Sequence, residues 1–138
     1  MENDELINLI TREVLYGLYS NKTVNWDTIE NSDFDFGGEL KKISSQFNNI
    51  NIDIYQGCFK KNQRLKKHLH KNPTQEIYFI LEGYAEIHIE NEIIYAKKGD
   101  FLCIPAEKIH WPVNKNNEDL KILFFLFPRE IEGPLIFE

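Results

Sequence analysis

From about residue 39 onward the chain is divided into short apolar runs, each too brief for a helix and each closed by turn residues. Runs of about four to eight β-branched and aromatic residues, with turns at close intervals, mark an all-β sandwich or barrel. Residues 50–54 alternate Ile-Asn-Ile-Asp-Ile, as a half-buried strand does. Further strands are predicted at 77–81, 85–89, 93–95, 101–104 and 120–127. Tight turns fall at Glu82-Gly83, Asn91-Glu92 and Lys98-Gly99-Asp100. Residues 122–127 are apolar at every position, so one face fills the barrel and the other needs a cover. An N-terminal helix or a second subunit would supply that cover, and a homodimer is expected.

The first twenty residues carry a different period. Leu6, Leu9, Ile10, Val14 and Leu18 recur at three- and four-residue intervals and form one apolar stripe on a helix. Asn3 or Asp4 would cap it by accepting backbone N–H groups. A second short helix can begin near Asp27, and the polar, Gly-containing segment 33–38 reads as a connection. The expected organisation is therefore a helical extension over 1–38 and a β-barrel domain over 39–138. No internal repeat or linker marks another domain.

At 138 residues the chain is the size of one domain, and a hydrophobic fraction of 42% is ample for a core. A net charge of -6 excludes the basic face that nucleic-acid binding requires. No run approaches the length of a membrane helix, and the acidic N-terminus lacks the pattern of a secretory leader. A soluble cytoplasmic protein is expected, with no nucleic-acid or membrane partner. Cys58 and Cys103 lack zinc-motif spacing and read as reduced, buried, small hydrophobes. The basic run at residues 60–67 reads as a solvated loop, or as a rim attracting an anionic substrate.

Three of the four histidines fall into one pattern. His68 and His70 are one residue apart, so on a strand both point to the same face, about 7 Å apart along the chain. Glu76 follows a short turn containing Pro73 and opens an apolar strand, where a carboxylate needs a reason to face inward. His110 comes just after the turn that starts at Pro105. Imidazole nitrogens with a carboxylate oxygen suit one divalent transition metal ion: Fe, Mn, Zn, Ni or Cu. Three His and one Glu leave positions open on a six-coordinate ion, as catalysis requires. His88, between Ile87 and Ile89, reads instead as a satisfied or solvent-facing side chain.

The span 57–114 resembles the two signature motifs of the cupin superfamily. In the first, His68-Leu69-His70 is followed by five residues, Glu76, six residues and Gly83. In the second, Gly99 is followed by five residues, Pro105-Ala106-Glu107, two residues, His110, three residues and Asn114. Three positions depart from the family pattern. The loop between His70 and Glu76 is one residue longer than usual, ten residues separate Gly57 from His68, and Glu107 replaces a turn glycine. A non-glycine residue at 107 must avoid or tolerate positive φ.

The resemblance implies a double-stranded β-helix, or jelly roll. It also implies a metal held by His68, His70, Glu76 and His110. Strand parity then puts Tyr78 and Ile80 on the face of Glu76, so Tyr78 points at the metal and can donate a hydrogen bond or proton to a substrate. Gln75 points to the opposite face, Pro112 shares the face of His110, and Trp111 points outward. Either Ile122, Phe124 and Leu126 or Leu123, Phe125 and Phe127 form an apolar pocket floor. The implied activity is that of a metal-dependent enzyme on a small organic molecule, of dioxygenase, isomerase or cyclase, lyase or decarboxylase type. A non-catalytic binding or sensing module is the alternative, and a purely structural metal a third reading. The complete ligand set favours the enzyme, as does an N-terminal segment too short and too acidic for a helix-turn-helix.

Overall fold

The computed structural model of the protein describes residues 4–5, 29–31, 35–36, 38–46 and 51–138. Of the helix expected over the first twenty residues only Asp4 and Glu5 are described, both helical, and the rest lies outside the described residues. Of the short helix expected from Asp27, the described residues 29–31 form instead a bend and a bridge from Asn31 to Lys41. Twelve described strands follow in order: β1 (Asp35–Phe36), β2 (Glu39–Lys42), β3 (Asp53–Phe59), β4 (Arg64–Leu65), β5 (His68–Leu69) and β6 (Gln75–Glu82) come first. Then come β7 (Tyr84–Ile89), β8 (Glu92–Lys97), β9 (Phe101–Ile104), β10 (His110–Val113), β11 (Leu120–Phe127) and β12 (Leu135–Ile136). A 3-10 turn, Ile43–Gln46, follows β2. Among the described residues no helix is long and apolar enough to cross a membrane.

The strands form two antiparallel sheets. One has the order β2-β3-β11-β6-β9; the other runs β1-β4-β10-β5-β12, with β10 also paired to β7 and β7 to β8. A strand apolar at every position can be stable only where both faces and both edges are covered. β11 has that place, in the middle of its sheet between β3 and β6. Its inner residues Leu120, Ile122 and Phe124 join Phe59, Tyr78, Ile80, Ile87 and Ile104 in the core between the sheets. On the outer side, Phe125, with Leu123 and Phe127 beside it, packs with Ile52, Ile54 and Ile77 in a second apolar cluster. The fold is an all-β jelly-roll barrel, and its inner floor is the Ile122, Phe124 and Leu126 set.

Two local features differ from the sequence pattern. The ladder of β3 begins at Asp53, with Asn51 and Ile52 outside it. Asp53, on the polar side of the alternation, is 2% exposed because the inner end of β3 gives its carboxylate three partners. Glu107, in place of a glycine, takes the left-handed conformation at φ 71°. Two bonds compensate: its N–H donates to the His70 carbonyl at 2.8 Å, and its Oε1 accepts from Asn72 N–H at 2.9 Å. Glu107 thus ties the turn before His110 to the loop after His70.

Candidate metal centre

β5 and β10 are hydrogen-bonded neighbours, and their register sets His68 directly opposite His110. His70 follows just beyond the end of β5, while Glu76 enters from β6 in the other sheet. The four side chains meet at one end of the barrel, all buried, with one ligand atom from each within 4.8 Å of the others. Ligands on opposite sides of an ion, at bond lengths of about 2.1 Å, stand about 4.2 Å apart, so the cluster is close to coordination size.

The hydrogen bonds decide which nitrogens face the centre. His68 Nδ1 donates to the Lys66 carbonyl at 2.6 Å, and His110 Nδ1 donates to the Lys108 carbonyl at 2.7 Å. A carbonyl only accepts, so each of these Nδ1 atoms carries a proton and each Nε2 turns inward. His70 is held differently. Its Nε2 lies 3.1 Å from Glu76 Oε1, and its Nδ1 lies 2.9 Å from Glu130 Oε1 without lining up as a hydrogen bond.

The same Glu76 oxygen is 2.7 Å from His110 Nε2. A buried carboxylate against two imidazole nitrogens requires positive charge among them, either protons or a shared cation. The titration behaviour reflects this demand. Burial and the neighbouring His110 push His68 down to about 3, against the pull of Glu76. Burial would also lower His70, but Glu76 and Glu130 outweigh it and hold that imidazole well above its ordinary value. Burial would raise Glu76, yet His70 and His110 hold it well below the usual carboxylate range. A divalent ion fits this set: Glu76 as ligand and Glu130 behind His70 would bring the buried centre to neutrality.

Tyr78 lies on the face of Glu76, as strand parity requires, and is fully buried. Its ring stands 6.0 Å from that of His110 and edge-on to Phe124 at 4.7 Å. The hydroxyl has no hydrogen-bond partner among the described residues. Burial, with Glu76 adding to it, raises its pKa well above the ordinary phenol value, so it stays protonated. Leu40, Tyr55, Leu65, Phe124, Leu126 and Glu130 complete the walls of the cavity. Its free volume of about 10 Å³ is close to one water-sized sphere.

The other singled-out residues take ordinary places. Trp111 points outward and stacks on His88 at 4.5 Å, with Lys67 Nζ 4.8 Å from its ring centre. His88 pairs with Glu86 at 2.8 Å, away from the cluster. Within the basic run, Lys60 meets Asp119, Lys61 meets Asn117 and Arg64 meets Glu138. Cys58 and Cys103 are free and half-buried. Glu130 and Asp53 escaped the sequence reading. Glu130 follows the last long strand at no motif spacing, and Asp53 sits where alternation points outward, so neither carried a local signal.

Comparison with known proteins agrees with this architecture. A family model described as "Cupin domain" matches residues 57–126. An uncharacterized protein of Methanocaldococcus jannaschii is 44% identical over 61 residues, which is 44% of this chain and 49% of that protein. The chain thus spans about half the length of that relative. A cupin-like protein from Thermotoga maritima superposes with a TM-score of 0.68 at 22% identity, covering 80% of this chain and 84% of that one. A sugar phosphate isomerase from Silicibacter pomeroyi gives 0.67 at 16% identity, covering 79% and 76%. KdgF from Halomonas sp. gives 0.62 at 20% identity, covering 79% and 96%. These structures speak for the fold alone. The family match takes in all four buried side chains and strands of both sheets, and the chain belongs to the cupin family.

Proposed function

We propose that the protein is a metal-dependent enzyme acting on a small organic molecule in the barrel cavity. The observation that carries this reading is the convergence of three imidazoles, two of them with Nε2 turned inward, and one carboxylate on a single buried point. His68, His70, Glu76 and His110 would hold one divalent transition ion, of the Fe, Mn, Zn, Ni or Cu group. Such an ion, when bound, supplies Lewis-acid polarisation of a substrate oxygen and positions left open by four protein ligands. Tyr78, kept protonated and without a partner, would donate a hydrogen bond or proton to that substrate. Leu40, Leu65, Phe124 and Leu126 would exclude water around it. Isomerase or cyclase, dioxygenase and lyase chemistry all fit this arrangement. A homodimer remains our proposal, with the exposed Phe101, its ring tilted against that of Phe79 at 4.4 Å, available to a second copy.

The test begins with metal content after purification without a chelating tag. The wild type should carry about one equivalent, and His68→Ala and His110→Ala less than about a tenth. A wild type as poor in metal as these variants would refute the reading. The small free volume favours a second reading, a non-catalytic module that only holds its ion. Cobalt-substituted protein separates the two. A change in its visible spectrum on adding azide shows an open ligand position, and an unchanged spectrum with no turnover on oxygenated substrates favours the module.

A further inference from the structure

Two of the three imidazoles are oriented by their own strands. His68 and His110 each donate Nδ1–H to the carbonyl two residues before them, so local backbone alone aims them. Among the described residues His70 has no such carbonyl. Its buried Nδ1 has no aligned hydrogen bond, and what stands 2.9 Å away is the carboxylate of Glu130, sixty residues later in the chain.

Glu130 is itself held in place. The segment after β11 is pinned at Pro128, whose carbonyl accepts from Thr74 Oγ1 at 2.8 Å. It is pinned again at Asp53, which accepts from Arg129 Nε at 3.1 Å and from Glu130 N–H at 3.2 Å, with Lys42 Nζ at 3.2 Å. Asp53 and Thr74 are both buried. Beyond this clamp, β12 pairs with β5, the strand that carries His68. Two buried side chains thus spend their hydrogen bonds on seating one carboxylate behind one imidazole.

We propose that Glu130 is a positioning residue of the metal centre, aiming His70 as main-chain carbonyls aim His68 and His110, and that Asp53 holds Glu130 to that task. The inference rests on the metal-binding reading above. A carboxylate behind a ligating histidine fixes its tautomer and ring orientation and raises its basicity as a ligand. His70 is then the conditional ligand of the set, tied to the docking of residues 128–130, whereas the other two depend only on strand geometry. Glu130 also supplies the second negative charge that lets a divalent ion be buried as a neutral unit.

The experiment measures zinc affinity of the full chain by competition with a chromophoric chelator, for wild type, Glu130→Ala, Glu130→Gln, Asp53→Asn and His70→Ala. Removing an outer carboxylate of this kind weakens metal binding about 10- to 100-fold, the loss expected for Glu130→Ala. Glu130→Gln keeps an acceptor oxygen and should recover part of the loss. Asp53→Asn leaves Glu130 in the chain but loosens its seat, and should weaken zinc in the same direction. The zinc-loaded protein, labelled with 15N, gives a readout that a merely structural role would not move. The imidazole N–H resonance of His70 should shift in Glu130→Gln, while those of His68 and His110 stay in place. Tight zinc in the wild type, lost in His70→Ala but kept within about twofold in Glu130→Ala and Asp53→Asn, would overturn this inference and leave the metal centre standing. Absence of zinc binding in the wild type would overturn both.

Discussion

Tyr78 isolates one chemical group from the packing around it. Its ring fills the core against Phe124, while its hydroxyl is buried without a partner among the described residues. An unmatched buried hydroxyl costs stability, so Tyr78→Phe should be as stable as the wild type or more stable by about 1 kcal/mol. If the hydroxyl donates to substrate, turnover of the metal-loaded variant should fall about 100-fold at unchanged metal content. Steady-state kinetics beside a denaturant melt checks both outcomes. Asn114 is the opposite case. It is buried, its Nδ2 donates to the Phe59 and Glu118 carbonyls, and its Oδ1 accepts from Asn116 N–H. Asn114→Ala would strand these buried groups, and a loss of about 2–3 kcal/mol in chemical denaturation is expected. The family spacing marked Asn114, but only its contacts show that it ties a loop together. His68 and His110 were readable because strand parity acts on neighbours in sequence. Glu130 was not, since it reaches His70 only through the closed barrel.

At the scale of elements, the turn from β6 to β7 depends on Gly83. Its φ is 83°, and an added Cβ would stand 2.5 Å from the Asp119 carbonyl oxygen. Gly83→Ala therefore combines left-handed strain with a backbone clash, and should cost about 2 kcal/mol or more in a thermal or urea melt. The last strand carries a pH prediction. Arg64 grips Glu138 with both terminal nitrogens, and Lys67 N–H joins them. Arg64 above all draws Glu138 down to about 2, against the opposing effect of burial, and Lys67 adds to the pull. A carboxylate depressed on folding contributes stability above its unfolded value, near 4.5, and loses it as pH falls through its folded value. The amide of Phe137, which donates to the Lys67 carbonyl, should keep its hydrogen-exchange protection above pH 5 and lose it first between about pH 4 and 2. Arg64→Ala should remove that pH step. The long strands β6, β7 and β11 were legible as apolar runs closed by turn residues. β1, β4 and β12 were not, because two residues are too few to show a period.

For the whole molecule, the metal centre lies across the seam between the sheets, with three imidazoles on one side and Glu76 on the other. An ion bound there links the sheets, so chelation should lower the melting temperature of the wild type and leave that of His68→Ala and His110→Ala unchanged. At a thousandfold excess over Kd the linkage amounts to about 4 kcal/mol, readable by calorimetry with and without chelator. The pattern of short runs determined by itself that the chain would be all-β, because a period of two can bury one face only in a sheet. The spacing of His68, His70, Glu76, Gly83, His110 and Asn114 determined the family, because each position sits at a fixed offset along strand or turn. The tertiary structure alone decided which face of β11 floors the cavity, that Asp53 turns inward, and that Glu130 stands behind His70. Those outcomes depend on groups up to 77 residues apart meeting across a closed barrel, and no local period records such a distance.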